Sequence, residues 1–224
     1  MAVILEKTIC HPQGGGQPSD EGYLKQGKTK FNLEALAIKE DVILHVGKFE
    51  PAGATFKEGS EVECHVDEQK RRLYARVHSA GHLLDVAMNK AGRSDLKPGK
   101  GFHQPVGAYV EYIGNIDAKE RDALLKALND HCKTLIETTP DDKPVFKKMC
   151  TYAEAGEELK NAGGVPPYIP EGSPLRVLKL VDEDNGCPCG GTHVQHVKDL
   201  LEVNVTKIQK KGKNVRVSYG VKAV

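Results

Sequence analysis

Neither sign of charge prevails in this sequence: 32 Lys and Arg stand against 31 Asp and Glu, a net +1 with the histidines neutral. A balance that even does not draw in a polyanion by itself, so any contact with nucleic acid has to come from local basic patches. Long apolar runs are missing as well. No stretch approaches the ~18–20 residues of a membrane span, and the first residues carry no run like that of a secretory signal. Six cysteines in that setting are expected to be reduced thiols or metal ligands rather than three disulfides, with the cytoplasm as compartment. Repeats and low-complexity tracts are absent. A glycine-rich stretch does occur at 13–22, yet no Gly-Lys-Ser/Thr follows it and its spacing is not that of a dinucleotide fingerprint.

What is present is a set of soft and borderline metal donors in two places. His78 and His82 fall one turn apart in a helix-like run over 68–91, and residues at i and i+4 share a helix face, with Cβ atoms roughly 5–6 Å apart. Far downstream, Cys189 and His193 bracket the string Cys-Gly-Gly-Thr-His. Three imidazoles and a thiolate suit Zn²⁺ far better than Mg²⁺ or Ca²⁺, which prefer oxygen. Two histidines on a helix are more often packing or surface residues than ligands. The glycines beside Cys189 make the joint reading the stronger one, because they allow the close approach that a four-ligand cage needs. A purely structural zinc stays open at this point.

Along the chain, residues 3–5, 31–38, 42–46 and 61–66 read as short strands broken by Pro51-Ala52-Gly53 and Glu58-Gly59, which predicts a small β-barrel over 1–66. From Asp67 the period changes. Leu73, Val77, Ala80, Leu84, Ala87 and Ala91 make one apolar stripe, with Gly92 as the stop. Gly81 inside that helix costs about 1 kcal/mol against alanine, which points to close approach by another element. Residues 97–101 read as a turn, and 108–112 and 145–150 as strands. Asp117 with Glu120, and Thr151 with Glu154, read as capping boxes opening helices, the first with the stripe Leu124, Leu125, Leu128, Cys132, Leu135 and Ile136. A strand at 175–181 leads to the second donor pair, and 200–209 with 215–219 form a hairpin. Strands and helices mix without βαβ alternation, so the class is α+β, with a second domain over 67–224.

With both donor pairs and the glycine loop in view, the chain resembles the AlaX-type alanyl-tRNA editing family, free-standing relatives of a domain in alanyl- and threonyl-tRNA synthetases. The resemblance rests on residues 14–22, Gly-Gly-Gly-Gln-Pro-Ser-Asp-Glu-Gly; on 76–84, Arg-Val-His-Ser-Ala-Gly-His-Leu-Leu; and on 189–194, Cys-Gly-Gly-Thr-His-Val. It implies a β-barrel followed by an α+β sandwich editing domain, zinc on His78, His82, Cys189 and His193, and mischarged tRNA as partner; the oligomeric state is left open by the sequence, with a monomer favoured. The implied activity is hydrolysis of seryl- or glycyl-tRNA for alanine. Gly81 departs from the family, whose members often carry a hydroxyl residue there. So does 97–101, where the bacterial synthetase editing domains have a glutamine.

A pocket sized for alanine cannot reject glycine, since one methylene is worth only ~1–3 kcal/mol, so a second, hydrolytic site answers a physical need. No glutamate lies between the two histidines as it does in His-Glu-x-x-His proteases. Gln17, Thr192, Glu111 and the ribose hydroxyl of the terminal adenosine are therefore the candidates to orient water, with Thr192 and Gln17 foremost. Gly15, Gly16, Gln17 and Asp20 are the candidate substrate contacts in the loop. Asp85, one turn past His82, reads either as an acceptor behind that ligand or, more commonly, as a solvated carboxylate. Cys187 reads as a spectator. The basic runs 70–72 and 207–213, with Arg216, are candidate phosphate contacts. Two other classes compete: an editing enzyme of the threonyl type, and an idle zinc-stabilised module that binds tRNA or a synthetase.

Overall fold

The computed structural model describes residues 1–222. Five strands come first: β1 Ala2–Ile4, β2 Gly22–Gln26, β3 Thr29–Lys39, β4 Val42–Glu50 and β5 Glu63–Val66. They form one antiparallel sheet in the order β1-β4-β3-β2-β5. The expected barrel is not formed, because β1 and β5 stand at opposite edges and do not pair. Strands of three and four residues offer too little ladder to close a sheet on itself. Leu24, Phe31 and Leu36 make its buried side, with Phe31 packed against Phe49 and Phe56.

The helix α1 spans Glu68–Lys90. The Asp67 carboxylate caps it by accepting the Lys70 amide, and Gly92 at φ +77 ends it where expected. Then follow β6 Lys97–Phe102, β7 Tyr109–Ile113, α2 Arg121–Thr138, β8 Phe146–Cys150 and α3 Tyr152–Glu158. The last elements are β9 Leu175–Lys179, β10 Cys187–Pro188, β11 Val203–Lys211 and β12 Asn214–Val221. Two further antiparallel sheets result, β10-β9-β8 and β11-β12-β7-β6. The class is α+β.

Two local expectations fail for identifiable reasons. The expected turn at 97–101 is the edge strand β6, in which Pro98 and Gly99 sit at a register shift against β7. An edge bulge is one of the few places in a sheet that tolerates a missing N–H. The Asp117–Glu120 box is not made: Asp117 caps nothing, and a 3-10 turn at Ala118–Glu120 precedes α2. The Thr151–Glu154 box is made in both directions, and the β11–β12 hairpin turns at Gly212.

One core joins α1, α2 and the inward face of β11-β12-β7-β6 through Val77, Leu84, Tyr112, Leu128 and Val217. A smaller cluster of Cys150, Ala155, Leu159, Leu175 and Val177 lies under α3. α1 is thus gripped from several sides and presents His78 and His82 toward the segment after β10. Among the described residues, no helix is long and apolar enough to cross a membrane.

Candidate metal centre

Four side chains from two distant segments converge. His78 and His82 of α1 and Cys189 and His193 after β10 each offer one donor atom, and these atoms all lie within 4.8 Å of one another. Cys189 Sγ is 3.5 Å from His78 Nε2 and 3.2 Å from His193 Nε2. Such a group could hold a metal ion.

The hydrogen bonds behind the donors sharpen that reading. The backbone amide of Thr192 can only donate, and it meets the Gln17 side chain at 2.9 Å, so the atom it meets is Oε1. The same Oε1 lies 2.7 Å from His78 Nδ1, which must therefore carry the ring proton and leave Nε2 with its lone pair toward the cluster. Gln17 is fully buried, and its Nε2 donates to Thr192 Oγ1 at 2.7 Å. His193 turns Nδ1 to Ser79 Oγ at 3.1 Å, and that oxygen also accepts the Val194 amide. His82 turns Nδ1 to Cys187 Sγ at 3.3 Å, while its buried Nε2 has no hydrogen-bond partner. A buried imidazole nitrogen left without a partner is costly in a protein interior. A cation at the cluster would satisfy it. The donor set and its backing fit a metal.

Three segments hold the cluster together. Arg176 on β9 donates through Nε to Cys189 O at 2.8 Å and through its terminal nitrogen to Gly191 O, while its own carbonyl accepts the Cys189 amide. Gly191 presses its backbone against His78. An ideal Cβ there would stand 2.1 Å from His78 Cε1 and 2.9 Å from Gln17 Oε1, so no larger residue fits. The loop at 14–17 closes on itself through two backbone bonds between Gly14 and Gln17, and Gly16 O accepts the His103 amide at 2.8 Å.

Several expected roles land elsewhere. Asp20 is buried in an ion pair with Arg71 and accepts the His11 amide, so it ties the loop to α1 and has no free edge for a ligand. Glu111 is not brought to the cluster. Alternation along β7 turns Val110 and Tyr112 into the core and Glu111 to the opposite face, where it accepts from Arg216 at 2.7 Å. Asp85 is no solvated carboxylate: Tyr112 donates to it at 2.6 Å, and burial raises its pKa to about 7. Cys187, read as a spectator and not a ligand, is not among the four clustered donors; its Sγ lies 3.3 Å from His82 Nδ1. The basic run 70–72 is spent on Glu21, Asp20 and Glu68. Among the described residues, Lys207, Lys210, Lys211 and Lys213 of the β11–β12 hairpin make no ion pair of that kind, and they remain the basic surface.

Ser79, Arg176 and His103 escaped the sequence reading. Ser79 was legible in principle as the polar residue next to His78 on a buried face. Arg176 and His103 gave no spacing signal, since their partners are distant in sequence. His103 stacks on His78, with ring centroids 4.5 Å apart.

Burial is the largest influence on each histidine. It lowers His82 to about 3, His193 to about 2 and His103 to about 4, and it depresses His78 with help from the neighbouring imidazoles. These rings are neutral at pH 7, the form that binds metal. Their folded values lie below the ordinary 6.5, so the unfolded chain takes up protons first as pH falls. Through these histidines the metal-free protein should lose stability as pH falls from about 6.5 to 5, opposed in part by Asp85, whose carboxyl, raised to about 7, favours the folded state at low pH. His82 alone accounts for a loss on the order of 2 kcal/mol at pH 5. Melting temperatures in chelator across that range check this, and a flat profile would contradict it.

Comparison with known proteins places the geometry in context. Residues 1–70 match the family of tRNA synthetases class II (A). The chain is 30% identical to alanyl-tRNA editing protein AlaX-L of Pyrococcus horikoshii over 218 residues, which is 95% of this chain and 49% of that protein. It is 30% identical to the alanine–tRNA ligase of Leptospira borgpetersenii over 98% of its length and 22% of the ligase. Against the alanine–tRNA ligase of Halorubrum lacusprofundi the identity is 28%, over 92% of this chain and 21% of that enzyme. The chain thus spans about half the length of AlaX-L and about a fifth of the ligases.

Proposed function

We propose that the chain is an alanyl-tRNA editing protein of the AlaX type, which deacylates tRNA for alanine that has been charged with serine or glycine; the 30% identity to AlaX-L over 95% of this chain supports that reading. One observation carries this reading. Two imidazoles from one helix meet a thiol and a third imidazole from a distant loop, and the threonine hydroxyl between those two is placed by a buried glutamine. Zinc on His78, His82, Cys189 and His193 would supply Lewis-acid polarisation of the ester or of water.

The chain's own groups do the rest. Thr192 Oγ1 accepts from Gln17 Nε2, which leaves its proton to be donated to the attacking water or the ester oxygen. Gln17 has both ends committed, so it is a positioning residue for His78 and Thr192 rather than the group that orients water. Gly16 packs against Gly101 of β6, and the Cβ position of Gly15 lies 3.8 Å from His78 Cε1, so both line the substrate side of the cluster. The water oxygen adds to the ester carbonyl carbon, the bond from that carbon to the ribose oxygen breaks, and the ribose oxygen leaves with a proton. No ATP is needed, since hydrolysis of the ester is downhill. Lysines of the β11–β12 hairpin supply phosphate contacts, and that part of the affinity is salt-dependent.

The test is incubation with seryl-, glycyl- and alanyl-tRNA for alanine and seryl-tRNA for threonine, with and without chelator. Seryl- and glycyl-tRNA for alanine should be hydrolysed only with metal present, and the alanyl ester should be spared by about a hundredfold or more. Hydrolysis of none of them, together with a melting temperature that chelator lowers, would establish the idle zinc-stabilised module instead.

A further inference from the structure

We propose that His103 is a specificity-determining residue of this site, its Nε2 accepting a hydrogen bond from the hydroxyl of a seryl ester. The inference rests on the deacylase reading above.

His103 follows β6, buried, with its ring stacked at 21° on the metal-facing imidazole of His78 and 6.3 Å from that of His82. Its position beside α1 depends on Gly81. A Cβ at 81 would stand 2.4 Å from His103 Cε1, 2.8 Å from its Nδ1 and 2.8 Å from Tyr219 Oη. The imidazole therefore fills the volume that a side chain between the two helix ligands would otherwise take. This is the close approach that a glycine inside a helix predicts.

The ring's tautomer follows from its partners. The Val77 carbonyl can only accept, and Tyr219 Oη donates to it at 3.0 Å. With its one proton spent there, Tyr219 Oη accepts at 2.6 Å from His103 Nδ1–H. The neutral ring then has its lone pair on Nε2, and among the described residues no group donates to that atom. The Gly16 carbonyl takes the His103 amide, and a Cβ at Gly101 would stand 2.3 Å from Nε2, so the lack of a side chain at 101 keeps that edge of the ring from being filled. A fixed acceptor next to the cluster can bind a hydroxyl. Glycine and alanine offer no hydroxyl to it, and discrimination by a buried polar partner is stronger than discrimination by size.

The experiment compares kcat/KM for seryl- and glycyl-tRNA in the full chain, in His103→Phe and in Tyr219→Phe, with zinc content and melting measured on each. The ratio of seryl to glycyl turnover should fall about tenfold or more in His103→Phe, and in the same direction in Tyr219→Phe, where the tautomer is no longer fixed. Equal losses on both substrates would mean that His103 only supports His78 or binds the shared α-amino group. An unchanged ratio would remove the residue from recognition, and either result overturns the proposal. If the unaltered chain turns over neither ester, it is the deacylase reading that fails.

Discussion

Cys189→Ala is expected to bring bound zinc to background and to lower hydrolysis of seryl-tRNA for alanine by at least about a thousandfold. The thiolate is the only anionic donor of the four, so its loss leaves three neutral imidazoles to hold a dication. The neighbouring cysteine cannot take over. Cys187 Sγ stands on the Nδ1 side of His82, away from the unpartnered Nε2 of that ring, and is not one of the four clustered donors. Metal content by mass spectrometry and single-turnover deacylation read the two effects separately. Full turnover in a zinc-free variant would dispose of the metal's role, and with it of the proposed mechanism.

The second large effect comes from a residue with no side chain. Gly191→Ala should reduce metal affinity by about a hundredfold or more, because the added methyl would stand 2.1 Å from one atom of His78 and 2.3 Å from another. Contacts that short force the ring to move, and Gln17, 2.9 Å from the same point, has to move with it. A displaced His78 loses both its place among the donors and the hydrogen bond that holds its tautomer, and each is costly in a metal site. Gly190→Ala is the internal control. A Cβ at 190 meets nothing within 4 Å, so this variant should bind zinc with nearly unchanged affinity. Competition titrations against a chromophoric chelator measure both, and equal affinities for the two variants would refute the steric account.

These two variants also separate what is readable along the chain from what is not. The donor types and their one-turn spacing on α1 are local properties, as are the Thr151–Glu154 box and the glycine that ends α1. The barrel was misread because closure depends on whether edge strands meet, and strand patterning is silent on that. Glu111 was misassigned because polar character does not say to which face of β7 it points until the pairing with β12 is known.

The sequence by itself singled out four residues as candidate donors for a borderline metal, which the fold brings together, and the α+β class, since donor chemistry and hydrophobic period are carried by residue types and spacings. Only the tertiary structure decided what stands behind each ligand. Gln17 reaches across 175 positions to Thr192, Ser79 across 114 to His193, and Tyr219 across 116 to His103. Hydrogen-bond partners so far apart are chosen by how elements pack and not by any local pattern, and through those partners the fold sets each ring's tautomer and the edge it offers.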